Sequence, residues 1–364
     1  MLVALLASFL AVALGVHLVS IALAWPRAAR PRGTAAARPS VSLVRPVCGL
    51  DAFDAETLAS SFGQDYPDHE ILFCAASGDD PAVALIEELI AAHPEARARI
   101  LIGDDRISTN PKLNNLVKGF AAARGEWVAM TDANLLLTPD YLSRLDDTRR
   151  DDTGLVSSPP AGIRPENFWG ALECAFLNSN QARWQLAADG LGIGFAHGKT
   201  LFWNHALLEA GGGIEALAGD LAEDVASTKL VRGQGMRVRL ARPLWGQPIG
   251  KRDFDEVWGR QLRWSRIRRA GFPAIFGLEI LQGPLPPFLA LAALVGLGAA
   301  PGLALAGFAA LWYGAEIALS RAHGWPAAPR DIAAMLLRDA LLPVLWVVTL
   351  RSRSFTWRGS VVGA

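Results

Sequence analysis

The chain of 364 residues lacks a net charge: 35 Lys and Arg are matched by 35 Asp and Glu. Without a net basic surface, a nucleic-acid partner is excluded. Cysteine is scarce. Cys48, Cys74 and Cys174 lie far apart. With no Cys-x-x-Cys pair and no regular framework, they read as reduced thiols of a cytosolic domain. A Gly-x-Gly-x-x-Gly turn is also missing where Arg45-Pro-Val-Cys-Gly49 follows the first apolar run, which excludes a dinucleotide-binding dehydrogenase. No internal repeat is found. What is abundant is apolar: 51% of residues are hydrophobic and the mean hydropathy is +0.25. That is too high for an ordinary soluble enzyme, so part of the chain belongs in lipid. The length allows one large domain or two medium ones.

Residues 2–24 are almost wholly apolar, with His17 the one titratable side chain. A helix rising about 1.5 Å per residue crosses a hydrocarbon core of about 30 Å in that length. A cleaved signal peptide would carry Lys or Arg before a shorter apolar stretch. Here Arg27, Arg30, Arg32 and Arg38 follow it instead. Residues 1–25 are therefore expected to form an uncleaved anchor, with everything after Arg27 in the cytosol. Residues 285–319 are apolar except for Glu316, too long for one span, and Pro301-Gly302 is placed to break them into two helices. Residues 332–350 are apolar but for Arg338-Asp339. Those charges either pair or face a cavity with a functional role, or mark a re-entrant or interfacial segment. Residues 272–350 are thus expected to be transmembrane or re-entrant, followed by a basic tail at 351–364.

Between the membrane segments, residues 26–39 read as an Arg-, Ala- and Pro-rich juxtamembrane linker, and residues 40–271 as the catalytic domain. Strands are predicted at 41–44, 70–75, 99–102 and 127–130, and helices at 56–61, 82–92 and 112–123. This alternation implies an α/β fold with a mostly parallel sheet flanked by helices. Ligands bind such sheets beyond the carboxyl ends of the strands. That rule selects Asp79 and Asp80 after the second strand, and Asp132 with Asn134 after the fourth.

Each of these residues has a plain reading beside a chemical one. One of Asp79 and Asp80 suits a helix N-cap. Asp132 and Asn134 offer two hard oxygens for a divalent cation held mainly by phosphates, while Asn134 also suits a turn before Thr138-Pro139. Glu223-Asp224 opens an apparent helix after Gly211-Gly-Gly213. It reads either as two acids at a helix N-terminus or as a base that takes a hydroxyl proton. Arg260-Gln-Leu-Arg263-Trp264 is the most distinctive stretch. Its arginines, three apart, share one helical face and suit a diphosphate bidentately. Alternatively the helix is a basic amphipathic one, with Arg266, Arg268 and Arg269 on anionic lipid.

Taken together, Asp80, Asp132, Asp224 and Arg260-Gln-Leu-Arg263-Trp264 resemble the family 2 glycosyltransferase pattern of three acids followed by (Gln/Arg)-x-x-Arg-Trp. The chain further resembles the ceramide glucosyltransferase branch over nearly its whole length. The stretches that carry this are Gln64-Asp-Tyr-Pro67, Asp79-Asp-Pro81, Asn110-Pro-Lys-Leu-Asn-Asn-Leu116, Pro139-Asp140, Ala222-Glu-Asp224 and Thr356-Trp-Arg358. The resemblance implies a GT-A fold, a UDP-sugar donor, Mg²⁺ or Mn²⁺, and inversion to a β-glycoside. It implies Asp80 near the nucleotide and Asp132 at the metal and diphosphate, with the adjacent Asp79 as a further donor contact and Asn134 as the second metal-ligand candidate. Asp224 becomes the base, and Arg260, Arg263 and Trp264 lie at the donor. His197-Gly198-Lys199-Thr200 resembles the Gly-x-Ser loop near the acceptor, so His197, Gly198 and Thr200, with Trp264, are the expected acceptor contacts. Two positions depart from the pattern: the second acid stands in Asp-Ala-Asn, and Ser179-Asn180-Gln181 replaces the Ser-His-Pro of animal members.

The implied protein is a multi-pass enzyme of the bacterial inner membrane with a cytosolic catalytic domain. It moves a hexose, expected to be glucose, onto the hydroxyl of ceramide in sphingolipid biosynthesis. A transferase acting on a hopanoid or another bacterial lipid is the alternative. A polysaccharide synthase is disfavoured by three or fewer C-terminal spans. A nucleotide-sugar sensor with a decayed site is disfavoured by the three acids.

Overall fold

The computed structural model describes residues 1–27, 38–351, 355–357 and 360–362. Most of the predicted linker, including Arg30 and Arg32, lies outside the described residues, as do Arg353 and Arg358 of the tail. The chain divides into two compact units. One comprises Met1–Pro26, Gly162–Leu191 and Ile249–Arg353; the other comprises Arg27–Ala161, Gly192–Pro248 and Ser354–Ala364.

The chain starts with α1 (Leu2–Ala24). The second unit then runs β1 (Val41–Pro46), α2 (Asp54–Ala59), β2 (His69–Ala75), α3 (Pro81–Ala92), β3 (Ala98–Ile102), α4 (Pro111–Ala122), β4 (Trp127–Thr131), α5 (Tyr141–Thr148) and β5 (Thr153–Ser157). Through β6 (Ala161–Pro165) the chain leaves for α6 (Phe168–Ala175), a π-helical segment Phe176–Ala182, and α7 (Arg183–Gly190). It returns for β7 (Thr200–Asn204), α8 (His205–Ala210), α9 (Glu223–Gly233) and β8 (Arg237–Leu240), and leaves again through β9 (Gly246–Gly250). Then come α10 (Phe254–Gly271), α11 (Pro273–Leu278), α12 (Leu285–Gly296), α13 (Leu303–Ala322), α14 (Pro329–Arg351), and a hairpin of β10 (Phe355–Trp357) and β11 (Ser360–Val362).

In the sheet unit seven strands lie in the order β3-β2-β1-β4-β7-β5-β8. β1 pairs in parallel with β2 on one side and β4 on the other, and β2 with β3. β7 is antiparallel to both β4 and β5. The central strands are buried on both faces, as parallel strands under helices must be. Val44, Leu72 and Met130 meet Leu113, Leu116 and Phe120 of α4 on one face. Leu43, Ala129 and Phe202 meet Tyr141, Leu145 and Trp245 on the other. α4 lies so close to the sheet that a Cβ on Gly119 would fall 2.4 Å from Val44 Cγ1 and 2.6 Å from Cys74 Sγ. Chain order reverses at β1, whose neighbours are β2 and β4. The crevice beyond the ends of β1 and β4 is the position where such sheets take ligands.

The predicted strands and helices of the first half all form, each within two residues of its expected start. By packing, Gly162–Leu191 and Ile249–Arg353 group with the apolar helices. Among the described residues, three helices are long and apolar enough to cross a membrane: Leu2–Ala24, Leu303–Ala322 and Pro329–Arg351. Pro273–Leu281 and Leu285–Gly296 together would make a fourth, bent by 40°. The break at Pro301-Gly302 is present, and α13 alone reaches spanning length because it continues past Leu319.

In this helical unit α1 packs on α7, α12 and α13, and α14 packs on α6. A charged network lies inside it. Arg338 donates to Glu316 Oε2 at 2.8 Å, to Asp339 Oδ1 at 2.9 Å and to Ser179 Oγ at 2.5 Å. Arg183 donates to Ser20 Oγ at 3.2 Å and to His17 Nδ1 at 2.8 Å. His17 Nε2 is then the donor to the Trp312 carbonyl, 3.1 Å away. Arg183, Arg338, Glu316 and Asp339 are all buried. Two cations and two anions balance, so the pairing read for Arg338-Asp339 extends to four helices and to Ser179, the serine that precedes the departing Asn180-Gln181.

Candidate active site

Asp80 and Asp132 stand at the carboxyl ends of β2 and β4, and their surroundings differ. Asp80 caps α3, accepting from Ala82 N–H at 2.9 Å, and both its oxygens accept from Gly49 N–H at 3.0 Å. It thereby fixes the turn after β1, at the strand reversal, where Gly49 adopts a φ of 69°. The exposed Asp79 donates its own N–H to Ser77 Oγ. The helix-cap role therefore falls to Asp80.

Asp132 is part-buried and clamped by two ammoniums: Lys112 Nζ lies 2.6 Å from Oδ1 and Lys199 Nζ 2.8 Å from Oδ2. Burial alone raises its pKa, but the two lysines outweigh that and hold its carboxyl well below the usual carboxylate range. Lys199 also donates to Asn134 Oδ1 at 2.8 Å. Asp132 and Asn134 therefore converge on one positive charge, and among the described residues no group of three His, Cys, Asp or Glu side chains is gathered to hold a metal ion. The loop that carries them is shaped by Arg45, a fully buried residue of β1. Its guanidinium donates to the carbonyls of Asp132, Ala133 and Leu135 at 2.8–2.9 Å. Burial lowers the Arg45 pKa to about 10.

The third acid lies one ammonium away. Lys112 also binds Glu223 Oε1, 2.7 Å from Nζ, and the Gly198 carbonyl. Burial lowers its pKa, but Asp132 and Glu223 outweigh that and hold its ammonium above the ordinary range. Gly198 N–H in turn donates to Asp224 Oδ2 at 2.9 Å, and Val225 N–H to Oδ1 at 2.8 Å. Burial and the neighbouring Glu223 charge push the Asp224 carboxyl up to about 6, against the opposing Lys112 charge and the two N–H donors.

The loop 197–200 is a tight turn with Thr200 N–H on the His197 carbonyl at 3.2 Å. His197 N–H donates to Ser157 Oγ at 2.8 Å. Thr200 points into the core, its hydroxyl 3.2 Å from the Tyr141 phenol, so it anchors the turn. At Gly198 a Cβ would fall 2.9 Å from Glu223 Oε1 and 3.5 Å from Asp224 Oδ2. Gly198→Ala is expected to displace this turn and cost about a hundredfold in kcat, checked by steady-state kinetics beside a melting curve.

Arg260, Arg263 and Trp264 lie on α10, in the helical unit. Arg260 donates to the buried Glu173 Oε1 at 2.8 Å, and Trp264 packs beside Cys174, Leu177 and Ile249. The sheet unit thus brings together Asp132, Asn134, His197, Gly198 and Asp224, with Asp80 behind the turn after β1. Sequence reasoning missed Lys112, Lys199, Asn110 and Arg45 as site residues, and it singled out Glu223 only beside Asp224. Asn110 and Lys112 stood in a quoted motif, but their partner lies more than a hundred residues away.

A seven-stranded, largely parallel sheet with acids at its strand reversal defines a nucleotide-sugar transferase of GT-A type. In keeping with that fold, the mannosyltransferase PcManGT from Pyrobaculum calidifontis, solved in complex with GDP-Man and Mn²⁺, superimposes with a TM-score of 0.55 at 20% identity. The match covers 93% of this chain and 99% of that one. The family model for glycosyl transferase family 21 matches residues 5–363, and the chain belongs to that family. Among curated relatives, ceramide glucosyltransferase 1 of Caenorhabditis elegans is 28% identical over 246 residues, 67% of this chain and 53% of that protein. Ceramide glucosyltransferase 3 of the same organism is 26% identical over 333 residues, 89% of this chain and 72% of that protein. The chain thus spans about half the length of the first relative and nearly three quarters of the second.

Proposed function

We propose that the chain moves a hexose, glucose foremost, from a UDP-sugar to the hydroxyl of ceramide, with inversion, at the cytosolic face of a membrane. One observation carries the reading. A part-buried carboxylate raised to about 6, Asp224, is joined through Gly198 and Lys112 to Asp132 at the strand reversal. Family membership and the two ceramide glucosyltransferase relatives support the substrate pair.

The chemistry is one in-line displacement. Asp224 accepts the proton of the acceptor hydroxyl as that oxygen bonds to the anomeric carbon and the bond to the diphosphate breaks. Asp132 and Asn134 would hold Mg²⁺ or Mn²⁺, which would supply positive charge for the departing diphosphate. His197 and Gly198 flank the acceptor side. For Arg260, Arg263 and Trp264, the role at the donor diphosphate rests on the motif. A ceramide stays in its leaflet, and the apolar helices keep the enzyme in the same bilayer.

The base must be ionised to act. Activity is therefore full above the Asp224 pKa and falls as pH drops through it, so the acid limb of kcat/KM is expected near pH 6. Glu223→Gln removes a charge that raises that pKa and should move the limb to lower pH. A limb unmoved in that variant would remove Glu223 from the cause.

The reading is tested with purified full-length protein, a panel of UDP-sugars, and ceramide or other bacterial lipids, with and without chelator, analysed by mass spectrometry. Glucosylceramide formed only while the divalent ion is present is the expected product. A sugar placed on another lipid with ceramide left untouched would overturn the acceptor.

A further inference from the structure

We propose that Lys112 is the positioning residue that locks the loop 197–200 and the first turn of α9 to the end of β4, and thereby places the Asp224 carboxylate. The inference rests on the proposed transferase reading for its catalytic consequence only.

An ammonium has three hydrogens to give. Lys112 meets three chain segments: it pairs with Asp132 Oδ1 at the end of β4 and with Glu223 Oε1 at the start of α9, and it donates to the Gly198 carbonyl between them. Its own backbone is fixed. Pro111 opens α4, and Asn110 caps that helix, accepting from Lys112 N–H at 3.0 Å and Leu113 N–H at 3.2 Å. The same Asn110 donates to Glu223 Oε2 at 2.7 Å, so both oxygens of Glu223 are held from the start of α4. Glu223 is only 3% exposed, and leaving it without a cation costs the site its order.

The link to Asp224 runs through one residue. Gly198 takes Lys112 on its carbonyl and gives its N–H to Asp224. Three side chains crowd the place where its Cβ would stand: Glu223 at 2.9 Å, Lys112 at 3.4 Å and Asp224 at 3.5 Å. A shift of Lys112 is therefore passed to Asp224 with no slack. The node suits a compact point charge, and a planar guanidinium fork does not share its geometry.

The test compares the full-length wild type with Lys112→Met, and with Lys112→Gln as the second variant should the first fail to melt cooperatively. Hydrogen exchange without substrate reads the position. Exchange at 197–200 and in the first turn of α9 is expected to rise about tenfold, with the exchange of β1 and β2 unchanged. Kinetics read the consequence: kcat falls about a hundredfold, while KM for the donor stays within about threefold. Lys112→Arg, which keeps the charge, is expected to recover less than about a tenth of the activity. Wild-type exchange at 197–200 in a folded variant overturns the proposal, whatever the reaction proves to be. Loosened exchange with unchanged kcat, or a loss confined to donor KM, overturns the catalytic placement. Absence of transfer by the wild type overturns the transferase reading and leaves the exchange result to decide the position.

Discussion

Asp224→Asn is expected to lower kcat by about 10²–10⁴-fold and to leave donor affinity unchanged. Asparagine keeps the shape, and its one oxygen can accept from either Gly198 N–H or Val225 N–H, so one of the two bonds that tie α9 and the loop 197–200 to this side chain is kept. What it loses is the ability to take a proton. Asp132→Asn should behave differently. It removes the charge that Lys112 and Lys199 both grip, so donor affinity should fall with turnover. Separating the two requires donor titration beside single-turnover transfer. Turnover retained in Asp224→Asn would rule that carboxylate out as the base.

The second large effect lies in the helical unit. Glu316→Leu leaves Arg183 and Arg338 buried with Asp339 as the one remaining carboxylate of the network. Breaking a buried pair from one side typically costs about 3–5 kcal/mol. Charge balance makes the double variant informative: Glu316→Leu with Arg338→Leu removes one charge of each sign and leaves Arg183 facing Asp339. Its destabilisation should be well below the sum of the two single variants, a coupling of about 1–3 kcal/mol. Thermal unfolding in detergent measures all three. Additive losses would mean that Glu316 and Arg338 act as independent contacts.

The two units differ in how much could be read in advance. The first four strands were legible because each is a short apolar run, and the helices after β2 and β3 have starts marked by Asp80-Pro81 and Asn110-Pro111. The position of Asp132 followed, since a parallel sheet puts its chemistry at strand ends. Later pairings were not legible. β7 runs antiparallel between β4 and β5, and nothing local marks a strand of Thr200–Asn204 as the partner of Trp127–Thr131. The hubs were hidden for the same reason. Lys112 is one lysine in a helix until residues 132, 198 and 223 are brought to it. Arg45 ends an ordinary valine-rich run until the loop after β4 folds over its guanidinium. In the membrane segments Glu316 and Arg338-Asp339 stood out as charges in apolar surroundings. Arg183 did not, because its segment is polar and its partners lie on helices far away in sequence.

The central claim is a single displacement that joins a nucleotide sugar to a lipid hydroxyl, with Asp224 as base. The measurement that tests it most directly is the anomeric configuration of the glycolipid formed from an α-linked UDP-glucose and ceramide, read by proton NMR. A β-linked product is expected. An α-linked product would contradict it, because retention needs a second displacement that a base acting once does not supply.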